Sequence, residues 1–262
     1  MIQFYKYHGA GNDFIIFNCL NDGLDFTKDH IAYICDRHTG IGADGVMFLL
    51  KSEEYDFEMK YYNSDGKEGT MCGNGGRCMI SFAYDMGIIK DEYRFIAVDG
   101  EHGGKILEIN AKEKTVELQM TDVNMVDEQD GKYVIDTGSL HYLDFRENIE
   151  NLDVYQEGRS IRYSEQFEEE GINVNFIESQ ENKLYVRTYE RGVENETLAC
   201  GTGVTAAAIA MSLKQKGKYS QYDIQTLGGD LHVRFQSNGK NKFTNIFLTG
   251  PATFVFTGAL EL

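Results

Sequence analysis

Residues 71–76 read MCGNGG and residues 199–203 read ACGTG, so Cys72 and Cys200 stand 128 positions apart, each at the head of a glycine-rich turn that opens a helix. A structural cysteine has no need of glycines beside it. A reactive one gains from them, because glycines let backbone N–H groups come close to a bound anion. Sliding the chain on itself at nearly the same offset extends the match well beyond the two cysteines. Phe14 and Phe17 fall on Tyr142 and Phe145, and Phe48 in GADGVMF falls on Phe176 in GINVNF. The strand-like FEMKYYN, ending at Asn63, falls on LYVRTYE, ending at Glu190, and Gly100 falls on Gly228. Any one match is weak, but a common offset with a common local pattern describes two similar halves.

Each half reads as many short alternating strands with Gly, Asn and Asp turns and one good helix. The helices are expected over about residues 77–86 and 203–216, stopped by Gly87 and Gly217. An apolar, alanine-rich run such as VTAAAIAMSL suits a helix enclosed by a sheet. The expected fold is therefore α+β, with two pseudo-symmetric domains, each a mainly antiparallel sheet wrapped around a central helix. The join is expected near Leu118 to Val126. That gives one domain of 1–118 with a C-terminal strand of about 250–262, carrying Cys72, and a second of 119–249, carrying Cys200.

A chain of 262 residues is long enough for two such domains, and a single proline with 28 glycines leaves the turns to glycine. Its 25 basic and 42 acidic residues give a net charge of −17, which argues against a nucleic-acid footprint or an anionic membrane as partner. A small zwitterionic substrate is not excluded, since charge in a cleft is independent of the total. The opening MIQFYKYHGAGNDF has no signal-type apolar core, so export is not expected. The uncharged run 197–213 is broken by glycines and threonines and reads as a buried helix, not a membrane span. Five scattered cysteines make no disulfide framework, so a reducing cytoplasm is the expected compartment.

A helix N-terminus presents unpaired N–H groups and a partial positive charge. A thiol placed there is biased toward thiolate, from near 8.5 down toward roughly 7 or lower. Each half thus supplies an anion-binding nest and a tunable base. If the halves face each other, the sulfurs flank one bound molecule from opposite sides, one removing a proton and the other returning one. That is what inverting a stereocentre requires, and helix N-termini would stabilise charge growing on an adjacent carboxylate. The residues point to a cofactor-independent racemase or epimerase.

The segments YKYHGAGNDFIIF, RHTGIGADG, NSDGKEGTMCGNGGRC, YERG and ACGTG, in this order along the whole chain, resemble the signatures of the diaminopimelate epimerases. The resemblance implies two similar α+β halves with the active site between them and Cys72 and Cys200 as the acid–base pair. It implies that Gly73 with Asn74, and Gly201 with Thr202, hold the reacting carboxylate. Asn12, Asn63, Asn173, Glu190 and Arg191 would bind substrate, Arg191 and the asparagines chiefly at its distal end. Glu190 and His141 would support the catalytic geometry. The implied reaction converts LL-diaminopimelate to the meso form without pyridoxal phosphate, with no cofactor and no metal, on the way to lysine and cell-wall peptide; a homodimer is left open.

Three departures stand out. The family usually has Asn-Pro-His where this chain has Ser139-Leu140-His141, leaving Ser139 as a weaker candidate substrate ligand. GVENETLA is one residue longer than the commoner spacing. Gly45 stands where some members carry a glutamine that touches substrate. Other readings compete. Cys19, Cys35 and Cys78 are expected to be buried small hydrophobes. Cys72 with Cys78 is half a metal site at most, and GNGG and GTG fit no phosphate-loop pattern. EQFEEEG reads as a solvated helix face, and His8, His30, His38, His102 and His232 as surface or turn residues. The other function classes are an inert amino-acid-binding protein on the same scaffold and an isomerase of proline-like or phenazine-type substrates.

Overall fold

The computed structural model describes residues 1–21, 23–239 and 241–261. The chain forms two units, Met1–Leu118 with Gly250–Leu262, and Gln119–Thr249.

The first unit opens with β1 (Ile2–Gly9) and β2 (Asn12–Cys19), joined by Ala10 and Gly11. Both turn residues are left-handed, at φ 50° and 83°, which gives the primed turn whose twist matches the hairpin strands. Gly9 therefore pairs with Asn12. Then follow α1 (Lys28–Cys35), β3 (Gly45–Leu50), β4 (Phe57–Asn63), α2 (Gly73–Asp85), β5 (Tyr93–Ala97), β6 (Gly100–Ile109) and β7 (Glu113–Gln119). In the second unit come β8 (Val126–Gln129), β9 (Lys132–Asp136), β10 (Leu140–Phe145), α3 (Val154–Arg162), β11 (Asn173–Gln180), β12 (Lys183–Glu190), β13 (Asn195–Thr197), α4 (Gly201–Lys214), β14 (Gln221–Thr226) and β15 (Gly229–Ser237). The last strand, β16 (Phe243–Leu260), gives its first part to the second unit and its remainder to the first.

The pairings repeat. β2–β3 and β4–β5 are parallel in the first unit, as are β10–β11 and β12–β14 in the second. The other ladders within each unit are antiparallel. In the first unit β16 lies between β7 and β1, so eight strands close on themselves around α2. In the second, β8 pairs with β9, and a bridge from Val123 to Phe243 joins the neighbouring segment to β16.

Both α2 and α4 are buried over nearly their whole length, and composition explains why they tolerate it. In α2, a Cβ on Gly76 would stand 2.9 Å from Met71 Sδ and 3.0 Å from Leu118, so the wall comes closer than any side chain permits. In α4, alanines 206, 207, 208 and 210 are fully buried, small enough for strands to pack on every side. The strands outside them carry apolar residues on both faces. Phe14 to Phe17 on β2 are all buried, because α2 covers one side while Ile31 and Ile34 of α1 join Ile15 and Phe17 on the other. In the second unit Val154 of α3 packs with Val174, Phe176 and Tyr189 in the same manner.

Several expectations need correction. The central helices begin at Gly73 and Gly201, four and two residues before the expected starts, because their glycines form the first turn itself: Gly76 N donates to Cys72 O at 2.7 Å. Among the described residues each unit has a second α-helix, α1 or α3, that the strand-dominated reading omitted. The stretch EQFEEEG is a run of mostly exposed turns, with Phe167 packed on the core of the second unit, rather than a helix face. The β-turn glycine that answers Gly100 is Gly229, at φ 139° against 120°, one residue beyond the expected Gly228. His102 is tucked under the surface, its side chain 11% exposed, with Nε2 3.1 Å from Asp99. Cys19, Cys35 and Cys78 are buried. No helix among the described residues is long and apolar enough to cross a membrane.

Candidate active site

Cys72 is the N-cap residue of α2 and Cys200 that of α4, both with extended backbone and neither making a side-chain capping bond. Each sulfur is therefore carried at the positive end of a buried helix, where the first-turn N–H groups are directed outward. Within the helices the two first turns are held very differently.

In the first unit the primed turn delivers Asn12 to the start of α2. Its Oδ1 accepts from Asn74 Nδ2 at 3.3 Å and faces Cys72 Sγ at 3.6 Å. Its Nδ2 donates to Asp44 Oδ2 at 2.6 Å. The carboxylate can only accept, so the amide orientation of Asn12 is determined. Asn74 is fixed in turn by Arg77, whose Nη2 donates to Asn74 Oδ1 at 2.8 Å and whose Nη1 donates to Gly73 O at 3.2 Å. Arg77 is wholly buried, and desolvation draws its guanidinium below the ordinary arginine value. Asp44 also pairs with Arg37 at 2.7 Å, which bridges to Asp13. Burial opposes ionisation of Asp13, but hydrogen bonds from Arg37 and Lys6 hold it down at about 2. Gly9 leaves room for this packing, since a Cβ there would be 3.0 Å from Asn74 O.

Asn63 makes its contacts elsewhere. It is exposed at the end of β4, where Tyr61 donates its hydroxyl to Asn63 Oδ1 at 3.0 Å. The Tyr61 ring also fills the space over Gly45, where a Cβ would be 2.5 Å from Tyr61 Cε2. A longer side chain at position 45 is therefore excluded by this tyrosine.

In the second unit the residues gather around His141, which is fully buried. Its Nδ1 lies 3.1 Å from Asn175 Nδ2, and Nε2 lies 2.9 Å from both Thr202 Oγ1 and Ser139 Oγ. Asn175 Nδ2 also donates to Tyr142 O at 3.1 Å, and its Oδ1 accepts from Thr188 Oγ1 at 2.9 Å. A carbonyl accepts only, so Nδ2 is the donor toward His141, and the imidazole proton is on Nε2. Desolvation, with the nearby Arg191 charge second, draws His141 down to about 3, so the ring is neutral. Thr202 Oγ1 stands 3.4 Å from Cys200 Sγ. Thr137 Oγ1 donates to Thr202 O at 2.9 Å and tethers the first turn of α4 to the loop before β10.

Asn173 is buried, and its amide is largely engaged within the protein: Nδ2 donates to Leu140 O at 3.1 Å, and Oδ1 accepts from Arg191 N at 2.9 Å. Arg191 itself is exposed, with Nη1 donating to Glu170 O at 2.8 Å. Glu190 Oε2 accepts from Thr197 Oγ1 at 2.9 Å. The structure thus joins Asn12, Cys72, Gly73 and Asn74 in one cluster and Ser139, His141, Asn173, Cys200, Gly201 and Thr202 in another. Asn63, Glu190 and the Arg191 guanidinium keep their own partners. Sequence reasoning missed Arg77, Asp44, Asn175 and Thr137. Their signal was present in part: Asn173 and Asn175 alternate on one face of β11, and Arg77 is an odd charge within an apolar helix.

A duplicated α+β chain with a cysteine at the head of each central helix has the layout of an isomerase. The chain belongs to the diaminopimelate epimerase family: the family's sequence profile matches it over residues 4–126 and again over 133–255. The two matches coincide with the internal repeat. A diaminopimelate epimerase of Flavobacterium psychrophilum is 47% identical over 260 residues, covering 97% of this chain and 98% of its own. One from Aquifex aeolicus is 38% identical over 280 residues, covering 99% and 98%. Among solved structures, a Bacillus anthracis phenazine biosynthesis protein has a TM-score of 0.75 at 16% identity, covering 100% of this chain and 99% of its own. A probable proline racemase from Agrobacterium radiobacter has a TM-score of 0.69 at 13% identity, covering 100% and 93%. These last two share the fold.

Proposed function

We infer that this chain epimerises diaminopimelate, inverting one Cα of the LL form to give the meso form, without pyridoxal phosphate. The observation that carries the reading is that each cysteine caps a buried glycine-opened helix while its sulfur is left out of the cap. One thiolate takes the Cα proton, and the electron pair left on carbon is delocalised into the adjacent carboxylate. Backbone N–H groups at Gly73 and Asn74, and at Gly201 and Thr202, are the donors suited to receive that growing charge. The thiol of the other cysteine then delivers a proton to the opposite face, and the two sulfurs exchange protonation states. A single base would return the proton to the face it came from.

The remaining assignments belong to the same reading. Asn12 orients the first-unit nest, and His141 holds the second. Asn63, Asn173 and Arg191 serve the part of the substrate remote from the reacting carbon, and Glu190 supports the catalytic geometry. The place in metabolism is the supply of lysine and of cell-wall precursor, in the cytoplasm. The relatives' names support diaminopimelate as substrate, and the fold neighbours do not separate it from proline-type or phenazine-type chemistry.

The test is a chiral assay of LL-diaminopimelate with purified protein, with and without hydroxylamine, which captures carbonyl cofactors. Conversion to the meso form at a rate unaffected by hydroxylamine is expected. No conversion, or conversion that hydroxylamine abolishes, would contradict the proposal.

A further inference from the structure

The corner of the second unit that holds Cys200 carries a side chain whose role differs from the one its position suggests. Ser139 precedes β10 and is half-buried, and its hydroxyl lies within reach of three polar atoms. These are His141 Nε2 at 2.9 Å, Thr202 Oγ1 at 3.1 Å and Asn173 Nδ2 at 3.4 Å.

The directions of these bonds follow from their ends. Asn173 Nδ2 is a donor, because Leu140 O accepts from it and Asn173 Oδ1 already accepts from Arg191 N. His141 Nε2 is a donor, because Nδ1 faces the amide nitrogen of Asn175. Two of the three neighbours of Ser139 Oγ can therefore only give it a hydrogen. Its own hydrogen has one acceptor among them, Thr202 Oγ1. Thr202 Oγ1 in turn receives from Ser139 and shares with Ser139 Oγ the single Nε2 hydrogen of His141, and its remaining neighbour is Cys200 Sγ at 3.4 Å. The threonine hydrogen is thus aimed at the sulfur. Every bond in the chain runs one way, from amide through serine and threonine to Cys200. A donor on a sulfur favours the thiolate over the thiol, and donors in series polarise one another.

We propose that Ser139 is a positioning residue that acts through Thr202 to hold a hydrogen-bond donor on the Cys200 sulfur, and that it is not a substrate ligand. The inference rests on Cys200 being one of the two acid–base residues. The ionisable groups at the strand ends around this corner are Asp136, His141 and Glu190, with Arg191 just past β12. Asp136 accepts from Gly138 N, His141 is neutral, Glu190 accepts from Thr197, and Arg191 donates to Glu170 O.

The experiment measures the pH dependence of iodoacetamide alkylation at Cys200 and Cys72 separately, by peptide mass spectrometry, in wild type, Ser139→Ala and Ser139→Thr. Steady-state kinetics with diaminopimelate accompany it. In Ser139→Ala the Cys200 midpoint should rise by about half a unit to one unit, the scale of one lost hydrogen bond. The Cys72 midpoint should stay put, which also certifies the fold. Ser139→Thr, which keeps a hydroxyl, should restore the wild-type midpoint. KM should change less than about twofold, since the substrate loses no contact. An unmoved Cys200 midpoint overturns the proposal, whether KM rises about tenfold, as for a substrate ligand, or stays the same. Because alkylation needs no substrate, a wild type that fails to turn over diaminopimelate while its Cys200 midpoint still depends on Ser139 would refute the proposed function alone.

Discussion

Gly203 shows how tightly single residues are constrained around Cys200. A Cβ there would lie 2.4 Å from Asn175 Oδ1, 3.3 Å from His141 Cε1 and 3.3 Å from Cys200 Cβ. Gly203→Ala is therefore expected to push the amide off His141, costing about 1–3 kcal/mol of stability and at least about tenfold in kcat/KM. Urea titration and steady-state assays check both. His141 supplies a second residue-level test. Its pKa is drawn from 6.5 to about 3 in the folded chain. Between those values the unfolded chain binds a proton that the folded one refuses, so stability falls as pH drops through this window. His141→Gln should flatten that slope, read from urea midpoints at pH ~4.5 and ~7.5; an unchanged slope would show that other groups set it. Arg191 is exposed, as a residue that grips a substrate arriving from solvent can be. Arg191→Met should lower kcat/KM for diaminopimelate roughly ten- to hundredfold, the loss of a hydrogen bond to a charged group. Lysine, lacking the distal carboxylate, should be poor in both proteins. Cys72 and Cys200 were legible in sequence because glycines mark them. The direction of the Asn175–His141–Thr202 chain was not, since polarity depends on partners that only folding brings together.

At the scale of elements, α2 contains a buried defect. Ser81 is 1% exposed, and its Oγ has no hydrogen-bond partner within the structure. Replacing it by alanine removes an unsatisfied hydroxyl and suits a helix interior, so Ser81→Ala should stabilise the protein by about 0.5–1 kcal/mol. Chemical denaturation measures this; a destabilised variant would show that the hydroxyl has an acceptor. The ends of α2 and α4 were half legible. Gly87, left-handed at φ 91°, closes α2 where a C-terminal glycine is expected. The starts were not, because glycine has poor helix propensity, and it is packing that favours the helix here: Gly75 sits against Met47, and Gly76 against Met71 and Leu118. Helix α1 did carry a signal, Thr27 and His30 forming a reciprocal cap, but its eight residues were lost among strand-like runs.

For the molecule as a whole, the duplication explains why one chain holds two thiols in equivalent settings. The repeat was visible because strands, turns and central helices preserve their order and nearly their spacing, even where side chains differ. The differences are chemical. Cys72 faces the oxygen of Asn12, whereas Cys200 faces the hydroxyl of Thr202. The long strand β16 serves both units, and it crosses from one to the other at Gly250-Pro251, the chain's single proline. The central claim is that the two sulfurs are both required and serve opposite faces of one carbon. It is tested most directly by following LL-diaminopimelate in deuterium oxide with wild type, Cys72→Ala and Cys200→Ala. Wild type should give meso product with one deuterium at the inverted Cα, and each variant should lose inversion by at least about a thousandfold while remaining folded. Near wild-type inversion by either variant would contradict the account.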